Sequence, residues 1–154
     1  MKLSLKRILP KDTSTYLGPK LVRILTGLYM VIIVVRSCIH LFTADGGSHS
    51  IAGVNVSVAG GDNIIAMFHQ WGAIQLILVG LLYVLFFRYP GLTSLILFAL
   101  AMDPIMRWVA AQMKPLVTVG TPPGAALNWP SFFFLILLLI ASLKVKKTTV
   151  NTSR

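Results

Sequence analysis

Glutamate is absent from this chain, and its only acids are Asp12, Asp45, Asp62 and Asp103. One cysteine, Cys38, is present, which excludes an internal disulfide and any cysteine-based metal cluster. Its place in a long apolar run gives it the reading of a buried structural thiol. No HExxH pair, Gly-rich phosphate loop, nucleophile elbow or kinase-like set occurs, so the sequence carries no metal or nucleotide motif and assigns no cofactor. Charge of either sign is scarce: 12% of residues are charged, against about 25% in a soluble domain.

Apolar residues fill the space. They make up 56% of the 154 residues, and the mean hydropathy is +0.81. Four runs, 21–42, 64–87, 92–111 and 129–145, approach the roughly 20 apolar residues that cross a bilayer. The fourth is the shortest and would need local thinning or help from its flanks. The expected fold is all-α: an up-down bundle of four transmembrane helices, residues 21–145, with a long outer loop after the first. Residues 1–20 form a basic arm that lies on the inner membrane surface or in solvent, and residues 146–154 form a basic tail. The first run is kept as a helix. Arg36 interrupts the region where a signal-peptide cleavage site would follow, and Val35-Arg36-Ser37 supplies no small apolar residue before Cys38.

The net charge of +10 raises the question of nucleic acid, and its distribution answers against it. Lys2, Lys6, Arg7, Lys11, Lys20 and Arg23 precede or open the first run; Lys144, Lys146, Lys147 and Arg154 follow the last; Arg88 sits in the link between runs two and three. The two outer loops hold Asp45, Asp62 and Lys114. That is the positive-inside pattern of an even number of spans with both termini cytoplasmic. The expected location is integral to a bacterial inner membrane, with lipids as the first partners.

Between Thr43 and Asn63, Ile51, Val54, Val56 and Val58 alternate and favour a short extended piece. Asp45, Asp62 and His49 read as solvated. Arg88-Tyr89-Pro90-Gly91 marks a tight turn that makes runs two and three antiparallel neighbours. Asn128 is placed to cap the last helix.

The candidate site comes from depth. A helix rises about 1.5 Å per residue. Arg36 is then about 22 Å from the inner boundary, Asp103 about 17 Å and Arg107 about 23 Å. His40, His69 and Trp71 fall in the same outer half, with Gln75 as the floor. Charges at such depth face a bundle interior and pair, and they are the default place to look for function. Asp103 can neutralise Arg107 or Arg36 but not both, so one cation is left over for an anionic or carbonyl-bearing ligand. Small residues beside the stripes, Ala99, Ala110 and Ala111 on run three and Ala66, Ala73 and Gly80 on run two, would turn them toward other helices. Haem ligation by His40 and His69 is disfavoured, because the two differ by about 6 Å in depth.

Phe68-His69-Gln70-Trp71-Gly72 and Asp103-Pro104-Ile105-Met106-Arg107, with four spans and basic inner ends, resemble the small four-helix membrane proteins of the DoxX-like type over residues 20–145. The resemblance implies a four-span membrane fold and, for some members, a tie to quinone-linked redox complexes. It carries over no functional residue. The function read from the residues is non-catalytic. An outward-facing polar pocket formed by Arg36, His40, His69, Trp71, Gln75, Asp103 and Arg107 would bind a lipid- or quinone-like molecule, or the chain would serve as an accessory subunit of a larger membrane complex or as a homo-oligomer. The alternative is a membrane-embedded enzyme acting on a lipid-like substrate, with His69 as acid/base and Arg107 stabilising charge.

Overall fold

A computed structural model describes residues 3–144; Val145 and the basic tail 146–154 lie outside them. The described chain is all-helical. Its helices are α1 (Lys20–Phe42), α2 (Gly61–Arg88), α3 (Thr93–Met113), the single-turn α4 (Pro123–Ala126) and α5 (Asn128–Ser142). Lys20–Phe42, Gly61–Arg88 and Pro90–Met113 are long and apolar enough to cross a membrane, which marks an integral membrane protein. With its 15 residues, α5 is about 22 Å long.

Local chemistry sets the boundaries. Pro19, extended at ψ 134, precedes α1, and Thr43 ends it in extended backbone. Gly60 at φ +85 turns the chain into α2, a conformation that costs glycine nothing. A side chain at Gly61 would run into the Val56 carbonyl. Pro90 opens a short 3₁₀ turn after α2, and the Thr93 hydroxyl donates to the Pro90 carbonyl at 2.7 Å as α3 begins. α3 continues through Pro104.

Packing joins the helices in an order the short links do not suggest. α1 lies along α2, and α3 along α5. α2 and α3, expected to be neighbours because of their tight link, approach each other far less closely. Met30, Val79, Ile96, Leu97 and Leu135, from all four long helices, meet in one apolar core. Ile24, Ile77, Leu81, Phe133 and Leu137 point outward and are exposed, the all-round apolarity of helices whose outer solvent is lipid. The hydroxyls of Thr26, Ser37 and Ser142 donate to carbonyls of their own helices at 2.7 Å, which satisfies these three donors within the apolar interior.

At the end of the molecule where α1 begins, the N-terminal arm is docked rather than free. The Ser4 amide donates to the Leu143 carbonyl at 3.1 Å, and the Gly91 amide donates to Thr13 at 2.9 Å. Arg7 donates to the carbonyls of Lys144 and Leu17. Arg23, which the sequence marks only as an orienting charge, is a brace. Its guanidinium donates to the Phe86 carbonyl at 2.7 Å and to the Thr93 hydroxyl at 3.2 Å, and lies 4.1 Å from the centre of the Phe86 ring.

At the opposite end, residues 43–60 form turns rather than the short extended piece that the alternation favours. The alternation around Val54 yields one isolated bridge to Thr118 in the loop after α3. Asp45 is not a bystander. Its carboxylate accepts from the amides of Ser50 at 2.7 Å, Gly47 at 2.9 Å and His49 at 3.1 Å. Those donors, the Ser50 amide foremost, hold its carboxyl at about 2.

Candidate functional site

The site grows from a close helix crossing. Gly72 of α2 sits against α1 so tightly that a Cβ there would come within 2.7 Å of the Leu41 nitrogen and 2.8 Å of the His40 Cβ. Glycine at the contact lets two membrane helices approach backbone to backbone. The sequence pointed to Ala66, Ala73 and Gly80 for this role. Gly80 instead has nothing within 4 Å of where its Cβ would be, and Ala66 is exposed.

The crossing forces aromatic rings together. His40 is buried and stacks on Trp71, with ring centres 4.7 Å apart, while Phe68 meets it edge-on at 5.6 Å. The His40 Nδ1 lies 2.7 Å from the Gly46 carbonyl. A carbonyl can only accept, so Nδ1 carries a proton in this contact. Gly46, at φ +59, fits under α2: a Cβ there would lie 2.9 Å from the Phe68 Cβ and 3.1 Å from the His69 Cδ2. His69 is therefore half-buried beside the loop and takes part in neither the His40 stack nor the ion pair.

Arg36, one turn before His40, places its guanidinium carbon 5.3 Å from the centre of the Trp71 ring. Its Nε is buried and has no hydrogen-bond partner. Next to it in α1, the Ser37 hydroxyl lies 3.4 Å from the Gln75 Oε1, which places Gln75 against the same stretch of α1.

Across the seam, Asp103 and Arg107 of α3 form the only ion pair among the described residues, at 3.1 Å between Oδ2 and Nε. The Nε–H is not aligned on the oxygen and finds no acceptor. Arg107 also donates to the Gly124 carbonyl at 3.2 Å, tying α3 to α4. Arg36 lies within Coulombic reach of both members of the pair. The single acid thus goes to Arg107, and Arg36 is the cation left over.

One expectation about this stripe is corrected. Ala99, Ala110 and Ala111 are exposed, and the Asp103 side chain keeps 43% of its surface. The stripe opens sideways from the seam between the helix pairs; it is not sealed against another helix. Asn128 also departs from expectation: it does not cap α5. Its side-chain amide donates to the Pro104 carbonyl at 3.0 Å, while its own Oδ1 is buried without a partner. A proline in the middle of α3 and an asparagine heading α5 were visible in the sequence; their pairing was not.

Two open depressions among the described residues lie elsewhere, at the end where α1 begins and α2 stops. Among the described residues no three His, Cys, Asp or Glu side chains come together to hold a metal ion. No family model matches the chain, and no curated protein or solved structure is detectably similar to it.

Proposed function

We propose that this chain is a four-span membrane protein, with both termini cytoplasmic, that binds the head of a lipid- or quinone-like molecule beside Arg36. In this reading α4 and α5 together make the fourth span, and the loops at residues 43–60 and 114–122 face outward. The observation that carries it is the uncompensated guanidinium. Arg36 is held over Trp71, with a buried Nε and no acid of its own. A cation at that depth is costly unless something accepts its hydrogen bonds. A carbonyl or phosphate oxygen would do so, and the sideways opening at Asp103 suits a ligand that arrives through the bilayer.

The residues divide the work. Trp71 and His40 give a flat aromatic wall, Arg36 gives the charge, and the Asp103–Arg107 pair sets a second polar edge without cancelling the first. A DoxX-like kinship agrees with such a role. His69, outside the cluster, is poorly placed to act as acid/base on the same ligand.

An accessory-subunit role has its own support. Met113, which ends α3, and Leu116, Val117 and Val119 after it are 83%, 66%, 87% and 87% exposed, apolar side chains interrupted by Lys114 and Thr118 in a segment of the kind that a partner covers.

Native mass spectrometry of the full chain released from detergent tests the first reading. The wild type should retain an amphiphile of discrete mass, and Arg36→Gln should lose it while keeping its thermal unfolding midpoint. Equal retention by both overturns the ligand reading. A partner chain retained by both supports the second. Reporter fusions at each terminus test the topology; an external reporter at either end refutes it.

A further inference from the structure

We infer that the groove between α1 and α2, at the end where the chain enters the bundle, is a binding site for a phospholipid with an anionic head group. This site is separate from the Arg36 cluster at the other end.

The groove is an open depression of about 580 Å³, lined along α1 by Lys20, Arg23, Ile24, Gly27, Leu28 and Val31. Tyr83 and Phe87 of α2 also line the adjoining cavity of about 480 Å³, which ends at Arg88. Together they make a shallow, open trough with apolar walls that shares the Tyr83 and Phe87 rings, with Lys20 beside one part and Arg88 beside the other. Lys20 to Val31 covers about 16 Å of helix, and one leaflet of hydrocarbon is about 15 Å deep. The trough is therefore as long as an acyl chain's share of the bilayer.

Two features keep the trough open. Gly27 has no side chain, and the Tyr83 hydroxyl donates to its carbonyl at 3.3 Å, laying the ring along the wall. Phe87 stacks on Tyr83 with ring centres 5.9 Å apart and planes 12° from parallel. The walls are thus flat and pre-set, as a saturated tail requires.

The head-group end is basic without being committed. Lys20 and Arg88 are exposed, and the only ion pair among the described residues is at the far end of the molecule. Arg23 lies between them, held in place by the Phe86 and Thr93 contacts, and adds fixed positive charge. The docked arm presents Leu5, Leu9 and Leu17, all strongly exposed, at the same level, where apolar residues among cations suit a lipid interface. Cationic lips over an apolar trough complement a phosphodiester carrying acyl chains.

The full chain should be placed in mixed micelles holding equal phosphatidylglycerol and phosphatidylcholine, and the lipids it retains counted by native mass spectrometry. The wild type should prefer phosphatidylglycerol roughly tenfold. Lys20→Gln with Arg88→Gln should bring that preference close to unity, whereas Lys114→Gln, at the opposite end, should leave it unchanged. A Cβ at Gly27 would meet the Phe86 ring at 3.5 Å where that ring lines the groove, so Gly27→Leu narrows the trough from its floor while keeping every charge, and it should lower retention of both lipids. No preference in the wild type overturns the proposal. So does equal loss with Lys114→Gln, which means diffuse surface charge. Undiminished retention by Gly27→Leu means annular lipid only and overturns it too. If Gly27→Leu does not fold, the charge variants decide alone. The Arg36 reading is scored apart from this one, by loss of the co-purifying amphiphile in Arg36→Gln before any lipid is added, so failure of that reading and failure of this one are distinguishable.

Discussion

Two glycines eight residues apart on α2 should respond to alanine with opposite signs. At Gly72 the added methyl would sit 2.7 Å from the Leu41 nitrogen, 2.8 Å from the His40 Cβ and 2.9 Å from the His40 carbonyl carbon. Two of these three are backbone atoms of a regular helix, so no rotamer change relieves the clash. α1 and α2 must separate locally, and the His40–Trp71 stack at 4.7 Å must open with them. Overpacking of this kind costs about 1–3 kcal/mol, offset in part by the ~0.5–1 kcal/mol that alanine gains over glycine inside a helix. The net is a destabilisation of about 1–2 kcal/mol. At Gly80 a Cβ meets nothing within 4 Å; only the propensity gain applies, so Gly80→Ala should be neutral or stabilising by up to ~1 kcal/mol. Thermal unfolding in one detergent, followed by tryptophan fluorescence, gives both values. Trp71 reports the crossing directly, and its emission should shift in Gly72→Ala alone. Stabilisation of similar size in both variants would refute the close crossing on which the site is built.

Three more expectations follow from single groups. The Tyr16 hydroxyl is buried without a partner, and burial pushes its phenol up to about 12; Tyr16→Phe removes a stranded polar atom and should raise stability by up to ~1 kcal/mol, read as a higher unfolding midpoint. Asp45 has its carboxyl held at about 2, below the ordinary 3.8. A lowered folded value stabilises above the unfolded value and fades as protons return. Protection of the Ser50 and Gly47 amides from hydrogen exchange should therefore hold above pH ~4 and fall as pH drops toward 2, and Asp45→Asn should lack that pH dependence. Asn128→Ala strips the Pro104 carbonyl of its donor at 3.0 Å and should cost about 1 kcal/mol, seen in the same unfolding assay; a neutral result would mean that the α3–α5 contact does not depend on this bond.

Hydropathy made the long helices legible, because an apolar run of bilayer length has few other uses. α1 begins one residue and α3 one residue from where the sequence places the first and third runs, and α2 extends three residues earlier, to Gly61. Which helices pair was not legible. The tight Tyr89–Leu92 turn fixes where α2 and α3 join, while shape along their length decides what packs, and α3 lies along α5. In the site, the rise per residue was enough to place Arg36, His40, Trp71 and Gln75 at neighbouring levels of α1 and α2, where they meet. The loss of His69 to the loop was not, since it follows from Gly46 adopting φ +59 and pressing against α2. The outward tilt of Asp103 was also hidden: a stripe of alanines serves equally for a helix contact and for a lipid face, and only packing separates the two. Arg23 shows the same limit in reverse, a topogenic charge by sequence that the fold uses to clamp α1 to the α2–α3 link.

A density map of the full chain in lipid nanodiscs tests the central claim most directly. The account expects non-protein density in the seam between α1 and α3, within hydrogen-bond distance of the Arg36 guanidinium and stacked beside Trp71. An empty seam with Arg36 turned out to the head groups, or paired to Asp103 in place of Arg107, would contradict it.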